Sequence, residues 1–153
     1  MKLKKMSQKQ EKSVAEEFNA KTVVASGAKW GSKGDVRNDK YLIECKMTQK
    51  PFYSLTKSTW EKIEKEAIKD GLRIPMMCID VEGCKYQFIV MLKKDLPEDI
   101  LERQSKRRDI ITYTDAVPQK SFRVQNKGCD IYYYQTDWGE FAVMKRHDFS
   151  EYM

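Results

Sequence analysis

Helix, hairpin, helix and then a series of strands: that order predicts an α/β chain, a mixed β-sheet with helices on its faces in one α/β or α+β layer structure. Three observations carry the prediction. Ser7-Gln8-Lys9-Gln10 and Ser58-Thr59-Trp60-Glu61 both have the capping-box form, and each precedes apolar residues at helical spacing. Between them, Asp35-Val36-Arg37 and Lys40 to Lys46 read as two strands joined by Asn38-Asp39, residue types that tolerate the positive φ of a tight turn. Downstream, Ile74 to Val81 and Tyr86 to Leu92 are strand-like runs separated by Glu82-Gly83. At 153 residues, 41% of them hydrophobic, the chain has the size of one domain.

The elements follow in order. The first helix is expected from Ser7 to about Phe18, with Val14, Ala15 and Phe18 on its inward stripe. Stepping back three or four residues along that stripe reaches Glu11, so a carboxylate heads the buried face. Glu16 and Glu17 lie off it. Lys21 to Ala25 is a short β-branched run, and Ser26 to Gly34 is a loop with three glycines, two serines and two lysines. Such a loop can bring backbone amides close to a phosphate. The second helix is expected from Ser58 to Asp70, closed by Gly71, with Trp60, Ile63 and Ala67 facing inward. Asp95 is expected to cap a short helix reaching about Gln104. Short β-rich runs then cover Ile110 to Tyr113, Phe122 to Gln125, Ile131 to Gln135 and Phe141 to Lys145, with turns at Pro118, Asn126-Lys127-Gly128 and Trp138-Gly139. Asp148 begins a last helical turn.

Charge is unevenly spread. Residues 1–50 hold 12 basic and 6 acidic side chains, whereas residues 51–153 hold 17 of each. A one-sided basic excess is the footprint of a nucleic-acid binder, because cations that neutralise phosphates release condensed counterions; a solvated basic tail is the alternative. No apolar run approaches a membrane span, and the Lys-rich start lacks the apolar core of a signal peptide, so a cytoplasmic protein with no membrane partner is expected. Cys45, Cys78, Cys84 and Cys129 form no C-x-x-C pair, which points to reduced, structural thiols.

The chemistry concentrates in the hairpin. Strand alternation puts Leu42, Glu44 and Lys46 on one face and Tyr41, Ile43 and Cys45 on the other. With Asn38-Asp39 as a two-residue turn, Asp35 lies opposite Leu42 and diagonal to Glu44, roughly 7–8 Å away between backbone positions. Two carboxylates and a lysine then converge. Mg²⁺ takes one or two carboxylates plus waters and phosphate oxygens, and the Cys45 carbonyl is a further oxygen donor. Mn²⁺ accepts the same ligands. Lys46 is placed to orient a water or stabilise charge developing on a phosphate, and Glu11 can supply a third carboxylate.

These residues resemble the PD-(D/E)xK nuclease superfamily with its restriction-endonuclease-like fold, and within it the Holliday-junction resolvases of archaea and phages. The likeness covers about residues 8–92, through Glu11, the Ser26-Gly27 loop, Gly34-Asp35-Val36, Ile43-Glu44-Cys45-Lys46 and the helix around Lys62 to Ala67. It implies metal binding by Glu11, Asp35 and Glu44, help to the attacking water from Lys46, and DNA contact at Ser26. Gly27, Lys29, Ser32 and Lys33 are the loop residues expected beside it. The superfamily's proline before the Asp is Gly34 here, and only eight residues separate Asp35 from Glu44. The resemblance implies a Mg²⁺-dependent endodeoxyribonuclease acting on branched or duplex DNA, as a homodimer and without a small-molecule cofactor. One domain is expected over residues 1–153, with the core at about 8–92 and the remainder packed on it.

Each residue has a plainer alternative. Glu11 can serve the helix dipole, Asp35 can be a solvated turn residue, and Glu44 and Lys46 an exposed ion pair of little consequence. Restriction-like cleavage of linear or flap DNA and a non-catalytic DNA-binding role fit the same motif. Lys106-Arg107-Arg108 can grip phosphate or be a solvated loop. Tyr132-Tyr133-Tyr134 is expected to bury one or two rings rather than stack on bases. His147, the only histidine, has no nucleophile pattern beside it, and Cys45 is expected to pack in the core.

Overall fold

The computed structural model describes residues 2–18, 21–22, 35–105, 111–114 and 120–151. Helix α1 (Lys2–Glu17) precedes β1 (Lys21–Thr22), β2 (Asp35–Arg37), β3 (Tyr41–Thr48) and β4 (Tyr53–Thr56). Helix α2 (Lys57–Lys69) leads to β5 (Ile74–Val81) and β6 (Gln87–Leu92), then a 3-10 turn at Lys93–Asp95 and α3 (Glu98–Ser105). Strands β7 (Ile111–Thr114), β8 (Ser121–Val124), β9 (Ile131–Thr136) and β10 (Gly139–Lys145) and helix α4 (Arg146–Ser150) complete the described elements. The fold class is mixed α/β. Eight strands form one sheet in the order β1-β2-β3-β5-β6-β10-β9-β7, and β4 pairs with β8 in a separate two-stranded ribbon.

The sheet is parallel at β3/β5 and β7/β9 and antiparallel at its other pairings. Because β6 pairs with β10, residues beyond 93 extend the same sheet. Its central strands are apolar at successive positions, as in Phe88-Ile89-Val90-Met91, because both faces are covered. One face packs Ile43, Cys45, Met76, Cys78, Ile89 and Met91 against Val14 and Ala15 of α1, Phe18 just after it, and Phe149 of α4. The other packs Met77, Ile79, Val90, Phe141 and Val143 against Trp60 and Ile63 of α2 and against Leu55, Phe122 and Val124 of the ribbon. Trp60 is fully buried, edge-on to Phe141 with ring centroids 5.0 Å apart.

Several boundaries differ from the sequence expectation, each for a local reason. Helix α1 starts at Lys2 rather than at the Ser7 capping box, since Lys2 to Met6 are good helix formers with no breaker among them. Helix α2 is capped by Thr56, not Ser58: Thr56 sits in extended backbone at the end of β4, and its hydroxyl accepts from the Thr59 amide at 3.2 Å. The inward residues Trp60, Ile63 and Ala67 are buried as expected, and Gly71 follows the helix at a φ of +83°. Asp95 does not cap a helix to Gln104. Pro97 holds Leu96 extended, so the chain makes a 3-10 turn first and α3 starts at Glu98. Helix α4 begins at Arg146, two residues before Asp148, its turn held by the buried Phe149. β5 has the expected bounds, β6 starts one residue late, β7 and β8 are each offset by one, β9 ends one residue later, and β10 begins at Gly139. Pro118 and residues 23–25 of the first β-branched run lie outside the described residues.

Candidate active site on β2 and β3

The hairpin turn is one residue later than expected. Asn38 is not a turn residue: its amide donates to the Tyr41 carbonyl at 3.1 Å, leaving Asp39-Lys40 as the two-residue connection. Its side-chain oxygen accepts from the amides of Lys40 (2.9 Å) and Tyr41 (2.7 Å), and its side-chain nitrogen donates to the Phe18 carbonyl at 3.2 Å. Arg73 Nε donates to the Asn38 carbonyl at 2.7 Å. Asn38 is thus tied to the end of α1 and to the link between α2 and β5, and those contacts set the register. Neither Asp39 nor Lys40 adopts positive φ.

The consequence is a shift of two residues in pairing, which preserves faces but shortens a distance. Position 35 pairs directly with Glu44, not with Leu42. Directly opposed residues have Cβ atoms about 4.5–5.5 Å apart, closer than the diagonal. This pair is also the last step of the β2/β3 ladder. Cys45 to Thr48 therefore have no strand on that side among the described residues, and the Cys45 carbonyl lies just past the last pair.

Glu44 is only 7% exposed, and its Oε1 lies 3.2 Å from Lys46 Nζ, whose own side chain is 38% exposed. Burial raises the Glu44 pKa; Lys46 opposes the shift by charge and hydrogen bond, Glu66 reinforces it and Lys62 opposes it. Desolvation wins, so the carboxylate is under-compensated. Lys62 and Glu66 both belong to α2, which places Glu44 on the α2 side of the sheet. A second group joins the pair there: burial raises the Tyr53 pKa, Lys46 lowers it and Glu44 raises it further, so the half-buried phenol shares their field. Tyr53 was missed from sequence because β4 was not expected. Its signal is the short alternation Tyr53-Ser54-Leu55, inner and outer in turn.

Glu11 is placed differently. Its charge and that of Glu44 both act on the thiol of Cys45, which burial holds well above the usual thiol range, and Cys45 packs on the α1 side. Helix α1, which carries Glu11, packs on the sheet face opposite α2. Gln10 of α1 is 3% exposed, and its Nε2 donates to the carbonyls of Lys46 (3.1 Å) and Cys78 (3.2 Å). It lies one turn before the fully buried Val14, a spacing that could have revealed it. Beside it, Arg146 donates to Glu17 Oε1 (2.7 Å), Ser13 Oγ (2.7 Å) and Gln87 Oε1 (2.8 Å). Glu17 is accounted for by that pair.

Among the described side chains no three of His, Cys, Asp or Glu gather around a point able to hold a metal ion. The side chain of Asp35 and the loop residues Ser26, Gly27, Lys29, Ser32 and Lys33 lie outside the described residues, as does Lys106-Arg107-Arg108. Tyr132 and Tyr133 are buried and Tyr134 is half-buried; His147 is exposed. No helix among the described residues is long and apolar enough to cross a membrane. Comparison of the chain with protein-family models, with curated proteins and with solved structures finds no match.

Proposed function

We propose that the protein is a divalent-metal-dependent DNA endonuclease that hydrolyses phosphodiester bonds, with branched DNA, four-way junctions foremost, as its substrate. The observation that carries the reading is position 35 paired directly with a buried, under-compensated Glu44, beside Lys46 at 3.2 Å. The donor set suits a hard cation: Asp35, Glu44 and the Cys45 carbonyl offer only oxygen, and a buried carboxylate whose charge is poorly offset gains from a nearby cation. Such an ion, Mg²⁺ or Mn²⁺, supplies polarisation of the scissile phosphate and a lower pKa for the attacking water.

The chain's own groups do the rest. Lys46, steered by Glu44 and open to solvent on its outer side, holds a water or neutralises charge growing on the phosphate. Glu11 approaches from the α1 side and is the accessory member of the set. The basic excess in residues 1–50 gives the DNA backbone a counter-surface. A homodimer is part of the proposal, because a two-fold junction needs two symmetric nicks and two equal sites supply them.

The test is a gel assay of wild type and Lys46→Ala on a synthetic four-way junction and on linear duplex of the same sequence, with Mg²⁺ and with EDTA. Symmetric, metal-dependent nicking of the junction alone, lost in the variant, is the expected outcome. Equal cleavage of both substrates reassigns the protein to general DNA processing. Binding without cleavage leaves a non-catalytic DNA-binding module.

A further inference from the structure

We propose that the exposed surface of the β4/β8 ribbon, from Arg123 on its outer face to Lys57 and Lys120 at its end, is the track on which the phosphodiester backbone of the DNA beside the cleaved bond is seated. The occupant rests on the endonuclease reading; the location rests on the ribbon itself. Residues 49–57 and 120–127, the ribbon and its flanks, carry Lys50, Lys57, Lys120, Arg123 and Lys127 and no acidic residue. Since residues 51–153 hold 17 basic and 17 acidic side chains, this is a local excess within a balanced region.

The ladder pairs Tyr53 with Val124, Ser54 with Arg123, Leu55 with Phe122 and Thr56 with Ser121. Leu55, Phe122 and Val124 are buried in the core, so Ser54 and Arg123 look outward, and both are exposed. The Lys57 amide donates to the Lys120 carbonyl at 2.7 Å, one step past the outward pair Thr56–Ser121, which sets two exposed lysines level with each other at the end of the ribbon where α2 begins. The guanidinium of Arg123 lies 4.0 Å over the Phe52 ring. Stacking of that kind fixes the plane of the guanidinium while its N–H edge stays free for a phosphate. Among the described residues the acid paired with one of these cations is Glu61, 3.9 Å from Lys57, with both side chains 48% exposed. Only four residues link the end of β3, the strand of Glu44 and Lys46, to Tyr53 at the start of β4, and the Tyr53 hydroxyl lies in the field of both. A backbone laid along the cations therefore runs toward Lys46.

A nucleic acid fits this surface better than an anionic membrane does. The outer face is Ser54, Thr56, Ser121 and Arg123, with no exposed large apolar side chain to enter a bilayer.

The experiment uses the full chain and compares two triple variants of equal charge change. Lys57→Ala/Lys120→Ala/Arg123→Ala removes ribbon cations; Lys65→Ala/Lys69→Ala/Lys94→Ala removes cations elsewhere. Fluorescence anisotropy with a labelled four-way junction in EDTA, over a series of salt concentrations, reads phosphate contacts directly. The ribbon variant is expected to lower the slope of log K against log salt by about 2 to 3, since each neutralised phosphate contributes about 0.9. The second triple is expected to leave it unchanged. Arg123→Glu, a single change on the exposed face, serves if the ribbon triple fails to melt cooperatively.

Equal loss in both triples, or no loss in either, overturns the track. Loss of binding to phosphatidylserine vesicles in the ribbon variant, with the DNA slope retained, assigns the face to a membrane and overturns it as well. The two proposals separate cleanly. Cleavage by wild type with an unchanged slope in the ribbon variant removes the track and keeps the endonuclease; a reduced slope with no cleavage under any condition does the reverse.

Discussion

The two faces of β3 handle buried polarity in opposite ways. On the α1 side, Arg146 is bonded to Glu17, Ser13 and Gln87, and Gln10 to two main-chain carbonyls. Burial works against the Arg146 charge, yet Cys78 and Glu17 leave its pKa raised. On the α2 side, burial works against the Glu44 charge and wins, although Lys46 sits at 3.2 Å. One network stabilises the charge it encloses, and the other holds a charge that the fold disfavours. A group kept against stability is the better functional candidate, and five changes test that contrast.

The largest expected effect is on catalysis. Lys46→Ala and Asp35→Asn are each expected to lower the cleavage rate by about 100-fold or more, in line with removal of one electrostatic stabiliser, while DNA binding persists in EDTA. Full activity in both would remove the site from β2 and β3. Next comes the α1 network: Arg146→Ala should cost about 2–3 kcal/mol in urea unfolding, as expected when charge-assisted hydrogen bonds are lost and Glu17 and Gln87 are left behind. Cleavage per folded molecule should change little, which a normalised rate at low denaturant will show.

Glu11→Gln sharpens the placement of the third carboxylate. Because Glu11 belongs to α1, which packs on the sheet face opposite α2 and the Glu44 side, its loss is expected to reduce cleavage less than Asp35→Asn does, by about tenfold at most. A loss equal to that of Asp35→Asn would put it at the metal. The smallest effect has the opposite sign. A carboxyl with a raised pKa adds stability below its unfolded pKa and gives that contribution up as pH rises through the folded value. Glu44→Gln should therefore raise Tm at pH 7, with the difference from wild type shrinking as pH falls through the carboxylate range, even as cleavage is lost. Scanning calorimetry at several pH values reads both limits.

Local signals were enough wherever the relevant forces are local. Ile74 to Val81 has the expected bounds because a β-branched and apolar run between a glycine turn and Glu82-Gly83 needs no distant partner to be recognised. The inward face of α2 is legible for the same reason, since Trp60, Ile63 and Ala67 repeat at helical spacing. The Glu44-x-Lys46 pair shares a face simply because strand side chains alternate. Misses cluster where distant groups decide. Asn38 has turn chemistry, but Phe18 and Arg73 hold it just past the end of β2, opposite Tyr41. Gln10 looks solvent-facing on a Lys-rich helix, and only the ends of β3 and β5 give its amide a buried role. β4 is four residues long and gains its partner from β8, well over 60 positions away.

By itself, then, the sequence determined the mixed α/β class, the order of elements and the convergence of acids and a lysine on one hairpin, because periodicity and alternation are properties of the chain's own geometry. Only the tertiary structure decided that Asp35 stands opposite Glu44, that the helix carrying Glu11 packs on the face opposite α2, and that two remote segments pair in a ribbon. Register, burial and cross-chain pairing depend on where other elements pack, and no window of local sequence contains that information.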